Sequence, residues 1–124
     1  MEEKIKNISL FEKEEYLVMA CSGACDLGNI SDIVARKLKK NKICSMSCLT
    51  TVGAGITSSI EFFKAHKILM LDGCSVDCGK KILGNSGITN FKHIRISDLG
   101  YEKGKTPVTE EIIKQIYEKI KAVN

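Results

Sequence analysis

The stretch that decides the fold is Lys67–Lys81, with the sequence KILMLDGCSVDCGKK. Its apolar run at 68–71 is short and ends at the turn signal Asp72-Gly73, which indicates a buried strand rather than a helix. Cys74 and Cys78 follow, and the two lysines then lead into a helical pattern. These two thiols therefore stand where a strand ends and a helix begins, which is the usual position of ligands in open α/β sheets.

The same arrangement occurs twice more, earlier in the chain. Cys21 and Cys25 follow a first apolar run, and Cys44 and Cys48 lie in and just after a second one. All six cysteines therefore form C-x3-C pairs. A thioredoxin-type pair has two intervening residues, so this spacing does not indicate that redox motif.

Strands alternate with helices along the chain. We predict strands at 16–20, 43–47, 68–71 and 91–97, and helices at 29–40, at 56–65, from Cys78 to about Leu83, and after a Thr109 cap. This alternation predicts a small three-layer α/β/α domain, flavodoxin- or Rossmann-like, with a mainly parallel sheet of about four strands. We expect residues 1–124 to be one domain, with residues 1–15 as a candidate for an extra edge strand.

The composition limits the classes of partner. The apolar fraction is 44%, the charged fraction is 27% and the net charge is +4, values typical of a soluble globular protein and too mildly basic for a nucleic-acid binder. No apolar run approaches the ~20 residues that span a bilayer, and the N-terminus shows no signal-peptide pattern. We therefore expect a cytoplasmic protein with a metal ion as its partner and with neither a nucleic-acid nor a membrane partner. Reduced thiols are then favoured over disulfides.

Thiols at the ends of adjacent parallel strands begin close together, because such strands lie ~4.8 Å apart. The sulfurs of a tetrahedral zinc–thiolate site are ~3.8 Å from one another, a gap that the exit loops could close. Helix N-termini also favour the thiolate that a metal needs. The preferred ligands are Cys21, Cys48, Cys74 and Cys78, with Cys25 in reserve.

Four other residues are weaker candidates. Cys44 is expected inside the second strand, where a free cysteine is more often a small buried apolar residue. His66, at a helix end, and His93, which alternates outward on a strand, are both expected at the surface. Asp72 could lie in the second coordination shell of a metal, but capping of a helix N-terminus is its more ordinary role.

The chain resembles the DGC-domain family of zinc-binding proteins, named for the motif that stands here as Asp72-Gly73-Cys74. The resemblance is carried by CSGACDLG from Cys21, CLTTVGAG from Cys48, LDGCSVDCGKK from Leu71 and ISDLGYEK from Ile96. It implies that Cys21, Cys48, Cys74 and Cys78 bind zinc. Cys25 matches only some members of the family, and Cys44 is additional. The family implies no reaction.

Three functions remain open on the sequence alone. The first is a zinc-binding module with a structural, sensing or trafficking role. The second is an iron–sulfur or thiol redox protein, because four thiolates serve a cluster as well as zinc. The third is an enzyme with a catalytic zinc or a cysteine nucleophile, which would need an acid–base partner that no histidine or glutamate obviously supplies. Metal analysis with a visible spectrum distinguishes the first two.

Overall fold

The computed structural model describes residues 9–124. Residues 1–8 of the candidate edge strand at 1–15 lie outside the described part. Within the described part of that stretch, Leu10–Lys13 form a short helix, α1, instead of a strand. The amide of Leu10 bonds to the carbonyl of Val123, so this helix is tied to the C-terminal segment.

Four strands form a single sheet in the order β2-β1-β3-β4, and every neighbouring pair is parallel. The strands are β1 (Leu17–Ala20), β2 (Ser45–Met46), β3 (Ile68–Asp72) and β4 (Phe91–Arg95). The prediction of an α/β domain with a parallel four-stranded sheet is confirmed. This order is the first part of the flavodoxin-like 2-1-3-4-5 arrangement, whose switch point lies between β1 and β3.

The helices after α1 are α2 (Asp26–Lys40), α3 (Leu49–Gly53), α4 (Thr57–Lys64), α5 (Cys78–Asn85) and α6 (Glu110–Lys121), and a 3-10 helix covers Ile96–Leu99. Among these helices, α2 and α3 differ most from the prediction. Helix α2 begins three residues earlier than expected, and α3 occupies a stretch in which neither a helix nor a strand was predicted. The Thr109 cap of α6 is confirmed, since its side chain accepts a bond from the amide of Ile112.

Each face of the sheet carries its own apolar core, because alternate strand residues point to opposite faces. On one face Leu69 and Leu71 of β3 pack with α2 and α6. On the other face Ile68 and Met70 pack with α3, α4 and α5. The three-layer arrangement follows directly from this alternation, and it leaves the carboxyl edge of the sheet open to the loops that carry cysteines.

The second strand is shorter than predicted, and this changes the place of Cys44. Ser45 pairs with Leu17, the first residue of β1, so Cys44 precedes β2 instead of lying within it. It stands at the amino edge of the sheet, opposite the exit loops. No helix within residues 9–124 is both long and apolar enough to cross a bilayer.

Candidate metal centre

Five of the six cysteines stand at the carboxyl edge of the sheet, where the strands run into helices. Three immediately precede or begin a helix: Cys25 is the N-cap of α2, Cys48 is the N-cap of α3, and Cys78 is the first residue of α5. The other two, Cys21 and Cys74, directly or almost directly follow β1 and β3. The structure thus gathers at one edge all five cysteines that the sequence suggested as ligands.

Three glycines bring the exit loops of β1 and β3 into backbone contact. A Cβ atom on Gly28 would lie 2.7 Å from the Cα atom of Gly23. A Cβ atom on Gly73 would lie 2.7 Å from the amide nitrogen of Gly28. Any side chain at Gly28 or Gly73 would therefore push apart the loops that carry Cys21, Cys25 and Cys74, so glycine is required there by close approach.

Backbone amides and a hydroxyl surround the sulfurs of the first pair. The amide of Gly73 donates to Cys21 Sγ at 3.4 Å, and the Ser31 hydroxyl lies 3.4 Å from the same sulfur. The amide of Gly28 donates to Cys25 Sγ at 3.4 Å, so this thiol caps α2. Both sulfurs are therefore held in place by backbone hydrogen bonds at the carboxyl edge of the sheet.

A loop from the far end of the chain covers this pair. The Asp26 carboxylate accepts bonds from three amides, those of Leu27 at 2.7 Å, Gly104 at 3.0 Å and Thr106 at 3.1 Å. The bond from Gly104, followed by those from Thr106 and Leu27, holds the pKa of Asp26 below its usual range. The side chain next to Cys25 therefore anchors the segment that contains residue 103.

Lys103 lies in this segment, next to the anchored Gly104. Interaction with the Cys74 thiol, followed by the charges of Cys74, Cys25 and Cys78, raises the pKa of Lys103. Neither Asp26 nor Lys103 was identified from the sequence, although ISDLGYEK, which ends at residue 103, was part of the family resemblance.

Cys48 lies on the other side of Cys21. The two thiols line one open cavity of about 790 Å³, with Arg36 and Lys39 of α2 on its wall. Hydrogen bonds from the Thr50 hydroxyl, and then from the amides of Thr51 and Thr50, lower the pKa of Cys48. Cys48 is thus an exposed thiol with an environment that favours its anion.

The five sulfurs are not drawn together into a closed site. Within residues 9–124, the one set of three or more potential ligands with donor atoms all within 4.8 Å of one another is Asp72, Asp77 and His93. A tetrahedral zinc–thiolate site needs sulfur separations of about 3.8 Å. The soft thiolate donors fit zinc chemically, and binding would require the exit loops to close around the ion.

The Asp72, Asp77 and His93 set is already bonded internally. Asp72 accepts from the amides of Gly79 at 2.8 Å and Lys80 at 3.1 Å, so the capping role expected for this carboxylate is confirmed. Its Oδ2 atom also lies 2.7 Å from His93 Nε2. His93, which was expected at the surface, is largely covered, since 17% of its side chain is exposed and its ring meets the buried carboxylate of Asp72.

Arg95 is bonded to Asp77, the second carboxylate of this set. Its Nε and Nη2 atoms donate to the two oxygens of Asp77 at 2.8 and 2.7 Å. Asp77 has a left-handed backbone, with φ of 58°, directly before α5. Since a cation would have to displace Arg95, this network fits best as a brace that fixes the start of α5 and hence Cys78.

The remaining thiol and histidine have ordinary surroundings. Cys44 packs against the core on the α2 and α6 face, and burial raises its pKa to about 11. His66 is exposed and stacks on Phe62, as expected for a surface residue. Neither lies at the carboxyl edge of the sheet.

The DGC-domain family model matches residues 17–120, which covers the sheet, all six cysteines and most of α6. The chain belongs to the DGC-domain family. The DGC domain is also similar to the anaerobic and virulence modulator AnvM of Pseudomonas aeruginosa, with 30% identity over 88 residues, or 70% of this chain and 67% of AnvM. No solved structure matches the chain.

Proposed function

We propose that this DGC domain binds one zinc ion through cysteine thiolates at the carboxyl edge of its sheet. The observation that carries the proposal is the segregation of the thiols: five stand at the edge where strands run into helices, and Cys44 alone stands at the other. A chain that used cysteine only as a small apolar residue would have no reason to concentrate it at one edge.

The proposed ligand set is centred on the loop after β3. The close approach of Gly73 to Gly28, whose amide donates to Cys25 Sγ, brings Cys25 beside this loop and raises it from a reserve ligand to an equal candidate. Cys21 is held beside this loop by its bond from Gly73. Cys48 lies across the cavity from Cys21 and is the alternative fourth ligand.

We further propose a regulatory role in which the occupancy of the metal site changes. Every proposed ligand stands in a loop or at a helix start, and none of these thiols is among the fully buried residues of the two apolar cores. We therefore expect the fold to form without the metal, unlike that of a small zinc finger. The name of the relative AnvM describes a modulator, which agrees with a sensing function.

An iron–sulfur cluster is the second candidate, because the same thiolates could hold it. The absorption spectrum separates the two proposals, since a zinc–thiolate site is colourless and a cluster absorbs in the visible. Purification without oxygen is required for this comparison, because exposed thiols and clusters are both lost to oxidation.

The experiment that tests the site is a set of matched serine variants assayed for zinc affinity by chelator competition. We expect Cys74→Ser and Cys78→Ser to weaken zinc binding by about 100-fold or more, since even outer-shell partners cost 10–100-fold. Cys44→Ser is the matched control and should bind as the wild type does. Equal losses in Cys44→Ser and Cys74→Ser would contradict the site.

One further variant tests the alternative location of the metal. His93→Asn removes one potential ligand of the Asp72, Asp77 and His93 set but leaves every thiol in place. If zinc binds through the thiols, this variant should retain more than half of the bound metal. Complete loss of zinc in His93→Asn, with full binding in Cys74→Ser, would move the site to the carboxylates.

A further inference from the structure

We propose that the open cavity between the exits of β1 and β2 binds a small aliphatic carboxylic acid through Arg36 and Lys39 of α2. Two of the proposed metal ligands, Cys21 and Cys48, also line this cavity, so the second site adjoins the proposed metal centre. The inference goes beyond the zinc function and does not rest on it, because it uses neither a bound metal nor the charge of a thiol.

The cavity exists because the chain leaves two neighbouring strands towards opposite faces of the sheet. Helix α2 follows β1 and packs on one face, whereas α3 follows β2 and packs on the other. The two exit loops therefore diverge and leave an opening of about 790 Å³ between them. Ligand cavities in proteins usually measure about 300–1,000 Å³, so this one has room for a small organic molecule.

The carboxylate of Asp32 fixes one wall of the cavity. Its two oxygens accept separate bonds, from the Ser22 hydroxyl at 2.9 Å and from Arg36 Nε at 2.9 Å. Ser22 has a left-handed backbone, with φ of 52°, and such conformations of non-glycine residues are concentrated at functional sites. Asp32 thus joins the exit of β1 to α2, and its bond to Nε leaves the Nη donors of Arg36 for a ligand.

The charge of the cavity wall favours an anion. Arg36 and Lys39 are its cations, and Asp32 is the one acidic residue among the described residues that line it. Two cations and one carboxylate leave one net positive charge, and the carboxylate is already bonded to Ser22 and Arg36. Clefts with an excess of one charge concentrate ligands of the opposite charge, so a small anion is the expected occupant.

The uncharged side chains indicate the rest of the ligand. Met46, Leu49 and Ile82 line the cavity, and no aromatic side chain of residues 9–124 does so. Protein sites for nucleobases commonly stack the flat ring on an aromatic side chain, so a nucleotide is a poor match. An aliphatic chain fits aliphatic and thioether side chains better. A carboxylic acid with such a chain satisfies both the cations and the apolar wall.

The first measurement is an NMR titration of the metal-free protein with hexanoate at constant ionic strength. We expect the amide signals of Ser22, Ser47 and Gly53, which line the cavity, to shift, and that of Gly100, which does not, to stay in place. Hexanamide has the same chain without the charge and should bind about fivefold more weakly. Inorganic phosphate has charge without the chain and should also bind more weakly. Equal binding of hexanamide would overturn the anion site, and equal binding of phosphate would overturn the aliphatic class.

Variants that remove one charge locate the carboxylate of the ligand. Arg36→Gln and Lys39→Met should each weaken hexanoate binding about fivefold, because each removes one exposed cation from the wall. Lys40→Met is the matched control, since Lys40 is the next residue of α2, is exposed and does not line the cavity. All three positions are exposed, so the fold should be retained. Wild-type affinity in both Arg36→Gln and Lys39→Met would overturn the site.

The last measurement uses the exposed thiol of Cys48, which lies on the cavity wall. In metal-free protein, saturating hexanoate should slow the alkylation of Cys48 by neutral iodoacetamide. The alkylation of Cys78, which is also exposed but lies outside the cavity, should not change, and mass spectrometry resolves the two. An unchanged rate at Cys48 would overturn occupancy of the cavity. A wild-type protein that binds no zinc would remove the proposed function and leave this result unaffected.

Discussion

The amide of Gly73 donates a hydrogen bond to the sulfur of Cys21 at 3.4 Å, so the exit of β3 touches the exit of β1 directly. These are the two strands on either side of the switch point of the sheet. Ligands of open α/β sheets bind in the crevice at this point. The Cys21–Gly73 contact therefore ties the proposed metal site to the feature of the fold that most often binds ligands.

Gly73→Ala should destabilise the protein by about 1–3 kcal/mol, the usual cost of overpacking. The new Cβ would lie 2.7 Å from backbone atoms of Leu27 and Gly28, and backbone cannot move aside as a flexible side chain can. Urea denaturation of metal-free protein measures the change. Gly84→Ala is the control, because nothing lies within 4 Å of its Cβ, and a helical alanine there should stabilise by about 0.5–1 kcal/mol. Equal stability of the two variants would contradict the close approach.

Asp26→Asn should release the loop that carries Lys103. The neutral amide offers one acceptor oxygen where the carboxylate offers two, so the amides of Gly104 and Thr106 should exchange hydrogen faster with solvent. Asp98→Asn, at an exposed carboxylate bonded to Arg95, is the control and should leave both amides protected. Unchanged exchange at both amides in Asp26→Asn would show that the carboxylate does not hold the loop.

The same carboxylate gives the loop a pH dependence. Because the folded pKa of Asp26 is lowered by its amide bonds, its stabilising contribution is complete above the ordinary carboxyl pKa. That contribution is lost as the pH falls through the lowered folded value. Protection of the Gly104 and Thr106 amides against hydrogen exchange should therefore weaken in acid in the wild type. In Asp26→Asn this protection should be low at every pH.

The two thiols of the second pair should differ sharply in reactivity. Burial raises the pKa of Cys44 to about 11, whereas hydrogen bonds lower the pKa of Cys48. In metal-free protein, iodoacetamide should label Cys48 near neutral pH and Cys44 only as the pH approaches 11. Since the folded pKa of Cys44 is raised, its contribution to stability is present below the ordinary thiol pKa and lost as the pH rises towards 11. Faster labelling of Cys44 at neutral pH would contradict its placement.

The main lines of the fold could be predicted from the sequence, because they depend on local patterns. The apolar run at 68–71 and its turn signal located β3 to within one residue. The start of α2 was placed three residues late, because Cys25 caps it through sulfur and cysteine is not among the usual capping residues. The length of the second strand was overestimated, because Ile43 and Cys44 are apolar but pack beside the core before the strand begins.

The site was less predictable, because its parts are far apart in sequence. The edge that holds the five cysteines followed from the strand–helix pattern. Asp26 and Gly104 are 78 residues apart, and no local signal joins them. His93 alternates outward along β4 and was expected in solvent, yet the neighbouring strand β3 ends with Asp72, whose carboxylate turns back to meet it. Only the pairing of the strands shows this contact.

Removal of the metal should leave a folded domain. The two cores hold the sheet and its helices together, and no cysteine is among their fully buried residues. With a strong chelator and a reductant, thermal melting followed by circular dichroism should remain cooperative, with a lower melting temperature than in zinc. Loss of a cooperative transition would mean that the metal is an essential structural element and would count against a site of changing occupancy.

The central claim is that the thiols at the carboxyl edge of the sheet bind zinc, and metal stoichiometry tests it most directly. The protein should be purified without oxygen, and its metals measured by elemental analysis together with a visible spectrum. We predict one zinc per chain, no absorption in the visible, and loss of that zinc in the Cys74→Ser, Cys78→Ser double variant. Metal-free protein that takes up none at micromolar zinc would contradict it.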